Sequence, residues 1–168
     1  MAKTKLKLPP SLVYEDGTEV RLVPLEKTGG KALYVSADGR CFSFYRRVLR
    51  LIKPQATNSS INRHNGRRKQ KYLRVRSYGN ILVHHAVHLA WIGPIPEGYV
   101  VDHLNGITAD NRIENIQAVT PEENVKRARL LRILRTIGRD PRIMSREELL
   151  EIFNKYYFAN QLPITDHR

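Results

Sequence analysis

The chain has 168 residues, 41% of them hydrophobic, which allows one compact domain with an appendage and a modest core. Lys and Arg outnumber Asp and Glu by 29 to 16, a formal net charge of +13, and this excess points to a polyanion as partner, with nucleic acid as the default. No apolar run is long enough for a bilayer and no secretion-signal pattern is present, so a membrane is not expected. The single cysteine, Cys41, excludes internal disulfides and a cysteine-based zinc cluster, and an intracellular, reducing location follows as the plain expectation.

Taken in order, Met1 to Pro10 is basic and closes on Pro9-Pro10, which predicts an extended arm. Val13 to Leu25 carries a turn at Glu15-Asp16-Gly17 and predicts a hairpin with Val20, Leu22 and Leu25 inward. Leu33-Tyr34-Val35-Ser36 and Cys41-Phe42-Ser43-Phe44 flank Ala37-Asp38-Gly39-Arg40, a hairpin signal because Asp-Gly supplies the positive φ of a tight turn. Asn58 to Lys71 is rich in Ser, Asn, Arg and Lys and is expected to be a loop. Lys71 to Arg76 alternates as a strand does, with Tyr72, Arg74 and Arg76 on one face and Leu73 and Val75 toward the core. The arginines and lysine of this region (Arg67, Arg68, Lys69, Arg74, Arg76) are read as DNA contacts in preference to a solubilising face, the usual explanation of a charge run, because the excess of positive charge is so one-sided.

Ile81 to Ile92 begins as strand and becomes helix, with Val83, Val87, Ala90 and Trp91 at helical spacing. His84 and His88 stand at i, i+4, but a pair without a third ligand is weak evidence for zinc. Val100 and Val101 then predict a short strand, Asn105 to Asn115 a polar loop, and Ile116 to Val119 a second strand. Thr120, Pro121 and Glu123 mark a helix start, since Thr caps, Pro fits the first helical position and Glu completes a capping box. This helix is expected to end near Ile137, before Gly138 and Pro141, with Val125, Ala128, Leu131 and Leu134 buried and Lys126 and Arg127 among its outward cations. A second capping box, Ser145 to Glu148, opens a helix whose apolar face is Leu149, Ile152, Phe153 and Tyr156.

Asp102 and His103 fall at the end of the first strand of this strand–loop–strand–helix run, and Asn124 falls one turn into the helix. A carboxylate and an amide oxygen are hard donors suited to Mg²⁺ or Mn²⁺. A histidine beside them can take a proton from water, and an amide such as Asn115 can orient its ring.

Val-Val-Asp-His…Asn…Asn, preceded by Val83-His84-His85-Ala86-Val87-His88-Leu89-Ala90-Trp91 and Gly93-Pro94, resembles the HNH nucleases, and in particular the phage HNH homing endonucleases. The resemblance runs from about Leu33 to Arg127 and includes the Tyr-Val-Ser…Gly…Phe-Ser hairpin. It implies an α+β fold: an N-terminal β-hairpin or sheet module over residues 1–80, a ββα-metal core over 81–137, and a C-terminal helical appendage over 138–168. It also implies a DNA endonuclease acting on double-stranded DNA, with His103 as general base, Asn115 positioning the imidazole, and Asp102 and Asn124 holding one divalent ion, Mg²⁺ or Mn²⁺. Asp110 and Asn111 fall in the loop where such enzymes carry Asn-rich sequence, and the resemblance gives them a supporting role. The resemblance places a His at His84, which is expected to be structural or a phosphate contact. The C-terminal region is shorter than the DNA-binding modules of such enzymes, and a homodimer is left open. The alternative is a DNA-binding regulator on an HNH scaffold without catalysis.

Overall fold

The computed structural model describes residues 8–57 and 71–161, the side chains as far as residue 156. Arg67, Arg68 and Lys69 lie outside the described residues. The first layer is an antiparallel meander of five strands, β1 (Ser11–Val13), β2 (Glu19–Leu22), β3 (Leu33–Ser36), β4 (Cys41–Tyr45) and β5 (Val48–Ile52), each paired with the next. Its centre is β3, buried along its whole length, because both faces are covered. On one face Tyr34 and Phe42 pack with Val20, and on the other Leu33, Val35 and Cys41 join the main core. Leu25 is partly exposed in a short 3₁₀ turn, so the inward face of the first hairpin is Val20 with Leu22, without it.

A smaller sheet follows, β6 (Gln55–Ala56), β7 (Leu73–Val75) and β8 (Ile81–Leu82). The last runs directly into helix α1 (Val83–Trp91). Val83, Ala86 and Val87 are fully buried in the main core, Trp91 only partly, and the indole N–H of Trp91 donates to the Val35 carbonyl at 3.0 Å. The helix thereby ties the meander to what comes after. His88 closes the helix end, its Nδ1 bonded to the Gly93 carbonyl at 3.0 Å.

The chain then forms β9 (Val100–His103), a loop, β10 (Ile116–Val119) and helix α2 (Pro121–Thr136). The two strands pair antiparallel, His103 opposite Ile116 and Asp102 opposite Gln117. Val101 and Ile116 face the same core as Val35 and Cys41, so meander and ββα unit share one hydrophobic interior. The helix start is as the sequence predicts: the Thr120 hydroxyl accepts from the Glu123 N–H at 3.1 Å, and Pro121 stands in the first turn.

The buried face of α2 differs from the expected stripe. Leu131 and Leu134 are buried as expected, but Val125 and Ala128 are exposed, and Arg127 and Leu130 are buried in their place. The difference comes from the last helix, α3 (Arg146–Gln161), whose Leu149 and Phe153 share one buried cluster with Leu130, Leu131 and Leu134. Its start carries a complete capping box: Ser145 Oγ accepts from the Glu148 N–H and Glu148 Oε2 accepts from the Ser145 N–H. The architecture is α+β, with antiparallel sheets and, among the described residues, three α-helices.

Candidate functional site

Strand β9 ends on Asp102 and His103, and pleating sends their side chains to opposite faces. The imidazole of His103 is 3% exposed, whereas Asp102 is half-buried. The ring of His103 belongs to a cluster of three mutually contacting rings. Its centroid is 4.7 Å from that of His84 on α1 and 6.1 Å from that of Tyr72 just before β7, and His84 is 5.2 Å from Tyr72. Burial pushes the His103 imidazole below the ordinary histidine range, against the opposing pull of its bond to Asn111, so it is neutral at pH 7. His84 is driven lower still, to about 2, by burial and by its neighbours His103 and His85. Its Nδ1 is buried without a hydrogen-bond partner.

Two amides of the loop between β9 and β10 have distinct tasks. Asn111, 4% exposed, donates from Nδ2 to the Ala109 carbonyl at 3.1 Å, which turns its Oδ1 toward His103 Nε2 at 3.2 Å. An amide oxygen only accepts, so Nε2 carries the ring proton and Nδ1 keeps the lone pair. Asn115 does not touch the imidazole. Its Oδ1 accepts from the Asn105 N–H at 3.0 Å and its Nδ2 donates to the Asp110 carbonyl at 2.8 Å, lacing the two ends of the loop together. The expected ring-orienting contact therefore belongs to Asn111, four residues earlier, because Asn115 closes a 3₁₀ turn and points into the loop's own backbone. Asp110 completes the loop: it binds Arg112 through both oxygens and accepts from Asn105 Nδ2 at 2.8 Å.

Asp102 faces the other way, toward α2, which packs against β9. Burial pushes its carboxyl up to about 6, although the His103 N–H and the Arg127 charge pull in the opposite direction. A carboxylate so placed is short of positive charge. Asn124, half-buried within the first turns of α2, offers a second oxygen. Among the described residues no group of three His, Cys, Asp or Glu side chains is close enough to hold a metal ion. A carboxylate with a neutral amide, as Asp102 and Asn124 would supply, is chemistry suited to a hard, partly hydrated ion such as Mg²⁺ or Mn²⁺.

The cationic residues sort by exposure. Arg76 is exposed, while Arg74 is half-buried and donates to Asn80 Oδ1 at 3.1 Å. Lys126 is exposed and pairs with Glu122 at 2.6 Å. Arg127, expected on the outer surface, is only 4% exposed: it donates to Gln117 at 3.2 Å, pairs with Glu123 and lies under the Phe153 ring at 4.8 Å. It braces α2, β10 and α3 and has no open face for a phosphate. His84, expected to be structural or a phosphate contact, is 2% exposed and packs against the His103 ring, so the structural role is the one its burial fits.

Compared with known proteins, residues 82–126 match the family model described as "HNH endonuclease". Over 78 residues the chain is 32% identical to the "SPbeta prophage-derived putative HNH homing endonuclease YosQ" of Bacillus subtilis (strain 168), a match that takes in 46% of this chain and 45% of that protein. The chain therefore spans less than half the length of this curated relative. A solved structure, that of "DNA binding and cleavage by the HNH homing endonuclease I-HmuI", aligns with a TM-score of 0.40 and 22% identity over 61% of this chain and 60% of the other. Both paired strands, the loop that holds His103, and the first turns of α2 lie within the matched segment. Over residues 82–126, from β8 into α2, the chain is similar to the HNH endonuclease family.

Proposed function

We propose that this chain is a DNA endonuclease that hydrolyses phosphodiester bonds of double-stranded DNA with the help of one divalent hard cation. The observation that carries the reading is the state of His103: a buried, neutral imidazole with Nε2 bonded to Asn111 and Nδ1 left as a base, on the same strand end as a half-buried carboxylate. In this reading Nδ1 takes the proton of the water that attacks phosphorus. Asp102 and Asn124 hold the cation through their oxygens. When bound, a Mg²⁺- or Mn²⁺-class ion supplies charge neutralisation at the phosphate and at the departing 3′-oxygen. Asn111 keeps the base from drifting, Asn115 keeps the loop closed and so supports its stability, and Arg127 holds α2, the helix that carries Asn124, against β10.

The net charge of +13 supports a nucleic-acid substrate, with Arg76, Lys126 and the outward Arg129 and Arg132 of α2 as phosphate contacts. The printed name of the prophage relative favours a homing-type enzyme. The test is supercoiled plasmid incubated with purified protein in Mg²⁺, in Mn²⁺ or with EDTA. Open-circle product that needs the metal supports the reading. Direct linear product would point to paired sites in a dimer. Salt-sensitive binding with no cleavage on a library of targets would favour a non-catalytic DNA-binding protein.

A further inference from the structure

We propose that the turn between β3 and β4, in the N-terminal meander, is a positioning element of the active site: Gly39, by lacking a side chain, sets the place of Asn111, and Asn111 holds the His103 imidazole. The inference rests on the reading of His103 as the base.

The path is short and every step is a contact. The Ala37-Asp38-Gly39-Arg40 turn is closed by the Gly39 N–H donating to the Ser36 carbonyl at 3.0 Å and the Ser36 N–H to the Arg40 carbonyl at 3.0 Å. It is locked from the side by Arg40, which donates to Asp38 at 2.9 Å and to Asp16 at 2.6 Å. This rigid tip lies on the loop that holds the base: the Ile113 N–H donates to the Ala37 carbonyl at 2.8 Å. At Gly39, which has φ +87°, a Cβ would stand 2.9 Å from Asn111 Cβ and 3.1 Å from its carbonyl oxygen. Ordinary carbon contacts lie at about 3.5–4.0 Å. A methyl group there would therefore push Asn111 by about half an ångström or more, and Asn111 Oδ1 is the atom bonded to His103 Nε2. The neighbouring core makes the push hard to absorb, since Val35 and Cys41 beside the turn pack in the same interior as Val101 and Ile116 beside the loop.

Because Gly39 acts through Asn111, its effect falls on the orientation and tautomer of the base and spares DNA affinity. Three variants of the full chain test this: Gly39→Ala, Asn111→Ala and the two combined. A fourth, Gly30→Ala, controls for backbone strain, since Gly30 also has positive φ (+76°) but a Cβ there meets nothing within 4 Å. On a cleaved DNA substrate, Gly39→Ala and Asn111→Ala are each expected to lower kcat about ten- to a hundredfold with KM unchanged, the scale on which sub-ångström misplacement acts. The double variant is expected to be no slower than the worse single one, because the two residues act in series. Gly30→Ala keeps the parent kcat.

The second readout needs no cleavage: imidazole ¹⁵N shifts of His103 report the Nε2–H tautomer in the parent chain and a mixture in Gly39→Ala and Asn111→Ala. Parent kcat with an unchanged tautomer in Gly39→Ala overturns the proposal. So does a double variant whose losses multiply. If the parent chain cuts no DNA, the nuclease reading fails alone, and the tautomer comparison still decides whether Gly39 and Asn111 set the ring. If Gly39→Ala does not fold, Asn111→Ala must still show the tautomer change, or the proposal falls.

Discussion

Replacing Asn115 by alanine separates two accounts of this loop. In the structure Asn115 is 7% exposed and both its hydrogen bonds go to backbone, to the Asn105 N–H at 3.0 Å and the Asp110 carbonyl at 2.8 Å. Truncation leaves both groups without their partner, and an orphaned buried polar group costs about 1–3 kcal/mol. The Asp110 carbonyl lies nearer solvent than the Asn105 amide, so the sum is about 2–4 kcal/mol. That is a large share of the ~5–15 kcal/mol of a typical domain but leaves the chain folded. Urea unfolding should show the midpoint falling by about 1–2 M with the slope unchanged. At a temperature where the variant is folded, kcat on DNA should stay within about threefold of the parent, since the imidazole keeps its bond to Asn111. A midpoint shift below about 0.3 M together with a kcat loss of about a hundredfold or more would refute this reasoning and return Asn115 to the role of orienting the ring.

Three further outcomes follow from the same geometry. Thr120→Ala removes the acceptor for the Glu123 N–H and should cost about 1 kcal/mol by urea unfolding, the usual worth of an N-cap, with Mn²⁺ or Mg²⁺ affinity weakened because Asn124 sits in the turns that fray. Mg²⁺ or Mn²⁺ should raise the melting temperature of the parent chain at pH 7, and Asp102→Asn should abolish that gain; an equal gain in the variant would remove Asp102 from the metal site. Without metal, stability should decline as pH falls below about 6.5, because His84, His85 and His103, held low by burial, bind protons more weakly folded than unfolded. Asp102, raised to about 6 by burial, works the other way and softens the decline down to about pH 4. Below that the decline steepens. The Asp110 carboxyl, held low by Arg112, and the Asp140 carboxyl, held at about 2 by Arg142, contribute stability above their unfolded values and lose it as pH drops through the folded ones. Stability that rises steadily from about pH 6.5 to 4 in urea titrations would contradict the assignment of three buried neutral imidazoles.

Much of this molecule is legible in the sequence because local signals there are strong. Thr120-Pro121 and Ser145 to Glu148 announce helix starts, Asp38-Gly39 announces a turn, and the β-branched pair Val100-Val101 and the short, largely apolar Ile116 to Val119 announce β9 and β10. What fails is what depends on neighbours far along the chain. The buried stripe of α2 turns on α3, whose Phe153 takes Arg127 inward, and an arginine beside other cations gives no hint of that. Asn111 and Asn115 are equivalent as letters in a polar loop, and only the loop's path decides which amide meets the ring. Gly39 carries a turn signal with no sign that its bare backbone abuts Asn111, a residue in another module of the chain.

The central claim is that His103 is the base of a metal-dependent cleavage and not a structural histidine. The most direct measurement pairs cleavage with binding for the parent chain and His103→Ala, on one DNA target at one salt concentration in Mg²⁺. The account predicts that cleavage falls by at least about a hundredfold while the dissociation constant for DNA changes by less than about threefold. Cleavage at the parent rate, or loss of DNA binding in step with loss of cleavage, would contradict it.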